Sequence, residues 1–263
     1  MDPITTVGAG LAVLGSKDLL DKVLGPTAEY FGGEVKGLIQ KCNLNLDSIF
    51  IKAKNKLGDR LDEAGSVSPR ILKNIIDEGR FCEDDLAAEY YGGVLASSKT
   101  NLGRDDRGIA LIAIIKSISV YQLRLHYLIY YVLKKVGHKN TRIGTEEERS
   151  KNRIYIPYDV LLQALELSDG EDPEVILSHA ASGLVRNQLV GPFYQYGPQS
   201  HLLRWFTKCP EQGGLILEPS MIGAELFLWA EGINKVDAAE ILNESIVISN
   251  PVIPITEGYS LLN

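Results

Sequence analysis

The feature that most narrows the fold is a run of apolar residues from Ala28 to Leu57. Ala28, Phe31, Val35, Leu38, Cys42, Leu46, Ile49, Ala53 and Leu57 stand 3, 4, 3, 4, 4, 3, 4 and 4 residues apart. That mean is the 3.6-residue period of a straight α-helix, not the 3.5 of a sustained heptad. A stripe of this length must be covered by other elements, so the chain is committed to helix-on-helix packing. Pro26 is a fitting start, and Asn43-Leu44-Asn45 is where such a helix would kink or break. Lys52, Lys54, Asn55 and Lys56 lie on the opposite side and read as a solvated face.

Residues 66–100 supply the covering helices. Ser68 is a good N-cap and Pro69 sits at the first helical position, where its missing N–H costs nothing. Ile71, Leu72, Ile75 and Ile76 then form one apolar face, and Gly79 ends the helix. Glu83, Asp84 and Asp85 open a second helix with carboxylates against the positive end of its dipole. Leu86, Ala87, Tyr90, Val94 and Leu95 make its inner face, and Gly92-Gly93 remove two side chains where a neighbouring helix can approach. A polar turn follows, with Asp105 or Asp106 as cap. The helix from Ile109 to Ile115 is apolar almost all round and is expected to be the most buried. Ser117-Ile118-Ser119 caps the next helix, 120–136, in which Arg124 and His126 interrupt a run of Leu and Tyr.

Residues 137–153 are polar, charged and without periodicity, the marks of a linker. Beyond them come a short strand at 154–156, a helix from Pro157 to about Leu167, and a helix over 173–189 capped by Asp172, with Val175, Ile176, Ala180, Leu184 and Leu189 inward. Strands are expected at 191–196, 202–207 and 215–217, then a helix over 219–231. Helix, helix, hairpin and closing helix is the outline of a winged-helix domain. The expected fold is therefore mainly α: an N-terminal helical bundle (1–136), a linker (137–153), a winged-helix-like α/β module (154–232) and an acidic tail (233–263), helical near 236–242.

Residues 210–263 carry eight acidic residues and one lysine, which accounts for the whole net charge of −7. An acidic chain gains no general attraction to phosphate backbones, which weighs against non-specific nucleic-acid binding. Three cysteines, Cys42, Cys82 and Cys209, form no CxxC pair and no even framework, in keeping with a reducing cytoplasm. Neither a signal-peptide pattern nor a run of about 18 apolar residues is present. Residues 6–24 are rich in glycine and apolar. They read as a helix packed on the protein's own core, with a membrane-meeting segment as the rival reading.

Taken together, residues 66–134 resemble the Abi-alpha (abortive infection alpha) family of bacterial proteins. The likeness is carried by SVSPRILKNIIDEG, by EDDLAAEYYGGVLASS and by IALIAIIKSISVYQLRLHYLIYYVL. It extends to the preceding helix and to LILEPSMIGAELFLWA, similar to the family's closing strand and helix. Tyr91-Gly92-Gly93 departs from the family's usual aromatic residue followed by alanine and a polar residue. The resemblance implies defence against phage by arrest or death of the infected cell, and it supplies no catalytic residues.

The sequence offers few residue patterns that carry chemistry. Gly8-Ala9-Gly10 lacks the third glycine and the preceding strand of a dinucleotide loop, so no cofactor is expected. Glu83, Asp84, Asp85 and Glu89 read as a dipole-complementing helix start and not as a metal cluster. Asp21 with Glu34 and Lys36 does not make a nuclease set, because helical geometry points Glu34 and Lys36 apart. His126, His138, His179 and His201 share no metal-ligand spacing, and Ser178-His179 and Ser200-His201 are mere sequence neighbours. The expectation is a non-enzyme without cofactor or metal, contacting a phage or host protein or assembling with itself. Glu83, Asp84, Asp85, Tyr90, Tyr91, Arg186 and Asn187 are the candidate contact residues. Arg186, Asn187 and Gln188 end the 173–189 helix with side chains suited to DNA, but Asp172 and Glu174 stand at its start, where base contacts are usually made. Protein contact is thus favoured over nucleic acid.

Overall fold

The computed structural model describes residues 44–80, 82, 84–205 and 212–262. The expectations for residues 6–24, for Asp21, Glu34 and Lys36, and for the first half of the long stripe lie outside the described residues. So do Glu83, Cys42 and Cys209. The chain is mainly helical with a four-stranded antiparallel sheet, and it divides into two compact units.

The first unit comprises residues up to Ser117 together with Trp229–Asn234. Its described helices are α1 (Leu44–Leu57), α2 (Pro69–Gly79), α3 (Asp85–Ser97) and α4 (Gly108–Ser117), with a 3-10 turn at Gly58–Leu61. The stripe residues Leu46, Ile49, Ala53 and Leu57 are all buried, and α1 packs chiefly on α3. Ile71, Leu72, Ile75 and Ile76 of α2 are likewise buried. Pro69 takes the first helical position, but Ser68 lends no side-chain capping bond; its carbonyl accepts from Leu72 N at 3.1 Å.

Among the described residues α3, not α4, is the more buried helix. From Tyr90 to Ser97 every residue of α3 is buried, whereas Ala110 and Ala113 of α4 are exposed. The reason is Gly92-Gly93. A Cβ on Gly92 would stand 2.8 Å from the Ile49 carbonyl oxygen, and one on Gly93 would collide with the backbone of Ala230. With hydrogens at both positions, main chain closes on α3 from two directions.

The second unit comprises Ile118–Leu228 and Lys235–Asn263. Its helices are α5 (Val120–Val136), α6 (Glu146–Ser150), α7 (Tyr158–Leu165), α8 (Pro173–Arg186), α9 (Gln199–Leu202) and α10 (Met221–Ala230, whose last two residues group with the first unit). Its strands are β1 (Arg153–Pro157), β2 (Tyr194–Gly197), β3 (Gly214–Leu217) and β4 (Ser260–Leu262). The sheet order is β2-β3-β1-β4. Ile154 faces Leu217 in β3 and Leu261 in β4, and Tyr194 faces Leu217. Ser119 caps α5 in a reciprocal box with Gln122, and α5 is buried along most of its length against α7, α8, β1 and β4.

The structure departs from the expected fold at several places. No strand runs from 202: α9 and a turn through Trp205 occupy that place, because Pro198 N-caps a short helix whose Leu202 is buried. Residues 137–153 are no bare linker. Thr145 and Glu148 form a capping box that starts α6, and Ile143 and Asn152 are buried. The tail folds into the second unit, where Ile241, Leu242 and Ile253 are buried and β4 adds to the sheet. Its helical stretch is only a 3-10 turn at Ala238–Glu240. Val175 is 63% exposed and Leu177 is buried at the start of α8 instead, while Ala180, Leu184 and Leu189 are buried as expected.

Candidate functional site

The acidic start of α3 is consumed by local structure. Asp84 caps the helix, accepting from Ala87 N at 3.0 Å. Asp85 meets Lys52 Nζ at 2.9 Å, and Glu89 meets Lys52 at 2.7 Å and Lys56 at 3.0 Å. Lys52 and Lys56, read from the sequence as a solvated face, are instead largely covered and paired across α1 and α3. Burial pulls the Lys52 pKa down, and its bonds to Glu89 and Asp85 outweigh that and raise it. Tyr90 and Tyr91, proposed contacts, are core residues with 0% and 4% exposure. Buried with every residue from Tyr90 to Ser97, neither ring is presented at the surface. Burial also pushes the Tyr91 phenol above its ordinary value.

Across α5 and α8, Ser119 Oγ lies 3.1 Å from His179 Nε2, which is also 3.1 Å from Gln122 Nε2. The same serine oxygen accepts from Gln122 N as the α5 cap. The pair ties two helices together, and no carboxylate among the described residues bonds to the imidazole, as a nucleophilic triad would need. Among the described residues no three His, Cys, Asp or Glu side chains gather to hold a metal ion.

The surface of α8 presents the remaining candidates. Its start carries exposed Glu174 and Val175; its end carries exposed Arg186. Asn187, the other predicted contact at that end, donates Nδ2 to Gly183 O at 2.9 Å and serves the C-cap. Burial, and then the charges of Glu174 and Tyr196, raise the Tyr158 pKa. Past β2 and α9, Leu203 and Trp205 are 48% and 56% exposed.

Beside the end of α8 lies a cavity of about 360 Å³, which sequence reasoning missed. Val185, Val190, Met221 and Ile222 form its apolar wall, with Arg149, Gln188 and Ser220 as polar lining. Ser220 is spent on the fold: its Oγ donates to Gln188 O at 2.7 Å and accepts from Gly223 N. Gln188 adopts a left-handed backbone (φ 58°) that turns the chain out of α8. No family model, no curated protein and no solved structure matches the chain. Among the described residues, no helix is long and apolar enough to cross a membrane.

Proposed function

We propose that this chain is a non-enzymatic protein of bacterial antiphage defence, of the abortive-infection type, acting in the cytoplasm through protein contacts or self-assembly. The resemblance of residues 66–134 to the Abi-alpha family supports the defence role. The contact role rests on one observation, that the start of α8 turns Glu174 and Val175 outward. Residues 154–232 are read as a winged-helix-like module: β1, α7, α8, β2 and β3 follow in that order, and β3 lies between β1 and β2. In that architecture α8 holds the reading position. An exposed valine beside a glutamate suits a protein surface, whereas a DNA-reading helix offers Arg, Lys, Asn or Gln there.

Phage challenge of cells carrying the intact gene or a Val175→Lys variant tests this, with plaques and host survival both scored. The intact gene is expected to lower plaque numbers at the expense of infected cells, and the variant to lose protection while keeping its fold and level. Absence of protection across a broad phage panel overturns the reading. Exposed Arg186 favours one rival, a DNA-binding regulator. Tight, sequence-dependent binding in a low-salt mobility shift, lost with Arg186→Ala, would establish that rival instead. The membrane-disrupting alternative rests on residues 6–24, outside the described residues, and liposome leakage by the purified protein tests it.

A further inference from the structure

Arg149 differs from the other part-covered arginines of the second unit. Arg124 meets Glu166 at 2.9 Å and Arg153 meets Glu218 at 2.5 Å. Arg149 has no carboxylate partner among the described residues. Its Nη1 donates to the carbonyls of Ile143 (3.2 Å) and Gly144 (2.9 Å), which fixes one corner of the guanidinium and leaves Nε and Nη2 to donate elsewhere. This half-buried cation lines the cavity of about 360 Å³ together with Val185, Val190, Met221 and Ile222. The Gln188 side chain lines it too and has no protein hydrogen bond among the described residues.

We propose that this cavity binds a small monocarboxylate with an apolar tail, its carboxylate on Arg149 and Gln188 and its tail on Val185, Val190, Met221 and Ile222. A guanidinium held at one corner presents a planar fork that matches a carboxylate, and the match loses little side-chain entropy because the fork is already oriented. One cation balances one negative charge. A dianion such as phosphate would face an apolar wall with half its charge unmet, which disfavours it. The volume lies at the small end of ligand cavities, about 300–1,000 Å³, and so favours a short chain. This site is independent of the contact surface on α8.

The test is a titration of the full chain with sodium octanoate, followed by backbone amide NMR. Saturable shifts centred on Gly191 and Ile222 are expected, with octan-1-ol and octylamine at least tenfold weaker. Arg149→Gln is expected to weaken octanoate at least tenfold. Because that change also gives up the bonds to Ile143 and Gly144, a second variant, Met221→Trp, fills the cavity while leaving Arg149 in place; it too is expected to abolish binding. Shifts that do not saturate, equal binding of octanol, or binding retained in Met221→Trp would overturn the assignment.

Discussion

Gly92 of α3 lies against Ile49 of α1 so closely that a Cβ would stand 2.8 Å from the Ile49 carbonyl oxygen and 3.0 Å from Ala53 N. Both contacts are to backbone, which cannot swing aside as a side chain can. Glycine within a helix costs about 1 kcal/mol against alanine, so the sequence bears that cost to bring the two axes together. Gly92→Ala should recover that propensity and still lose about 2 kcal/mol net, because α1 must shift off α3. Urea unfolding measures it, and an unchanged or raised midpoint would show that the interface yields freely.

Glu89 joins the same two helices by charge. Its carboxylate meets Lys52 and Lys56, whose side chains are 13% and 8% exposed, while Asp85, 72% exposed, meets Lys52. Removing the shared anion takes the carboxylate from covered Lys56 and leaves Lys52 to the exposed Asp85. Glu89→Ala is therefore expected to cost about 2–4 kcal/mol. Asp85→Ala should cost under about 1 kcal/mol, since water already solvates that pair. Chemical denaturation of both variants in low and high salt checks the contrast. Equal losses would mean that the covered position of Glu89 confers nothing.

The parts of the fold legible in the sequence are those where burial repeats along a helix. Leu46 to Leu57 and Ile71 to Ile76 are buried as their spacing required. Where periodicity does not determine burial, the reading failed. Apolar content alone ranked α4 above α3, but Gly92 and Gly93, which carry almost no hydrophobicity, decide which helix main chain can approach. Residues 137–153 read as a linker because single buried residues such as Ile143 leave no pattern. Leu202 was read as strand because a four-residue helix has too few positions to show a period. The cavity was illegible for a similar reason: Arg149, Gln188 and Met221 come together only through the tertiary fold. Tyr90, placed on the inner face of α3 by its spacing, is buried there, and Tyr91 beside it is buried too, so the core takes both rings that also read as contacts.

Lys134 Nζ donates to Ile241 O at 2.9 Å and to Asn243 O at 2.5 Å, holding the tail onto the end of α5. Burial, and then the charge of Lys139, lowers its pKa to about 8, while Glu244 acts the other way. The unfolded chain holds this proton up to about 10.5, so between about pH 8 and 10.5 it binds more protons than the folded chain, and stability rises with pH. The contribution is full above that window and is lost as pH falls through about 8. Relative to Lys134→Met, the native chain should gain about 2 kcal/mol between pH 8 and 10.5. A difference that stays flat across this window would show that the ammonium form is tolerated in place.

His126 is the acid counterpart. It is fully buried in α5, and Nε2–H donates to Gly223 O at 3.0 Å, a bond that needs the proton on that nitrogen. Burial depresses its pKa to about 3, against 6.5 for the free imidazole, and the carbonyl only partly opposes this. From about pH 6.5 down to 3 the unfolded chain therefore takes up a proton that the folded chain refuses. Stability from this site is complete above pH 6.5 and falls by up to about 1.4 kcal/mol per pH unit below it. His126→Gln retains a donor for Gly223 and has no such proton to take up. The variant should be less stable at pH 7 by about 1–3 kcal/mol, through imperfect packing, and the gap should close and then reverse as pH falls towards 4. Guanidinium midpoints at half-unit steps from pH 7 to 4 would read this directly. Parallel curves for the two proteins would mean that His126 is protonated in the fold, with its charge met by a group other than Gly223.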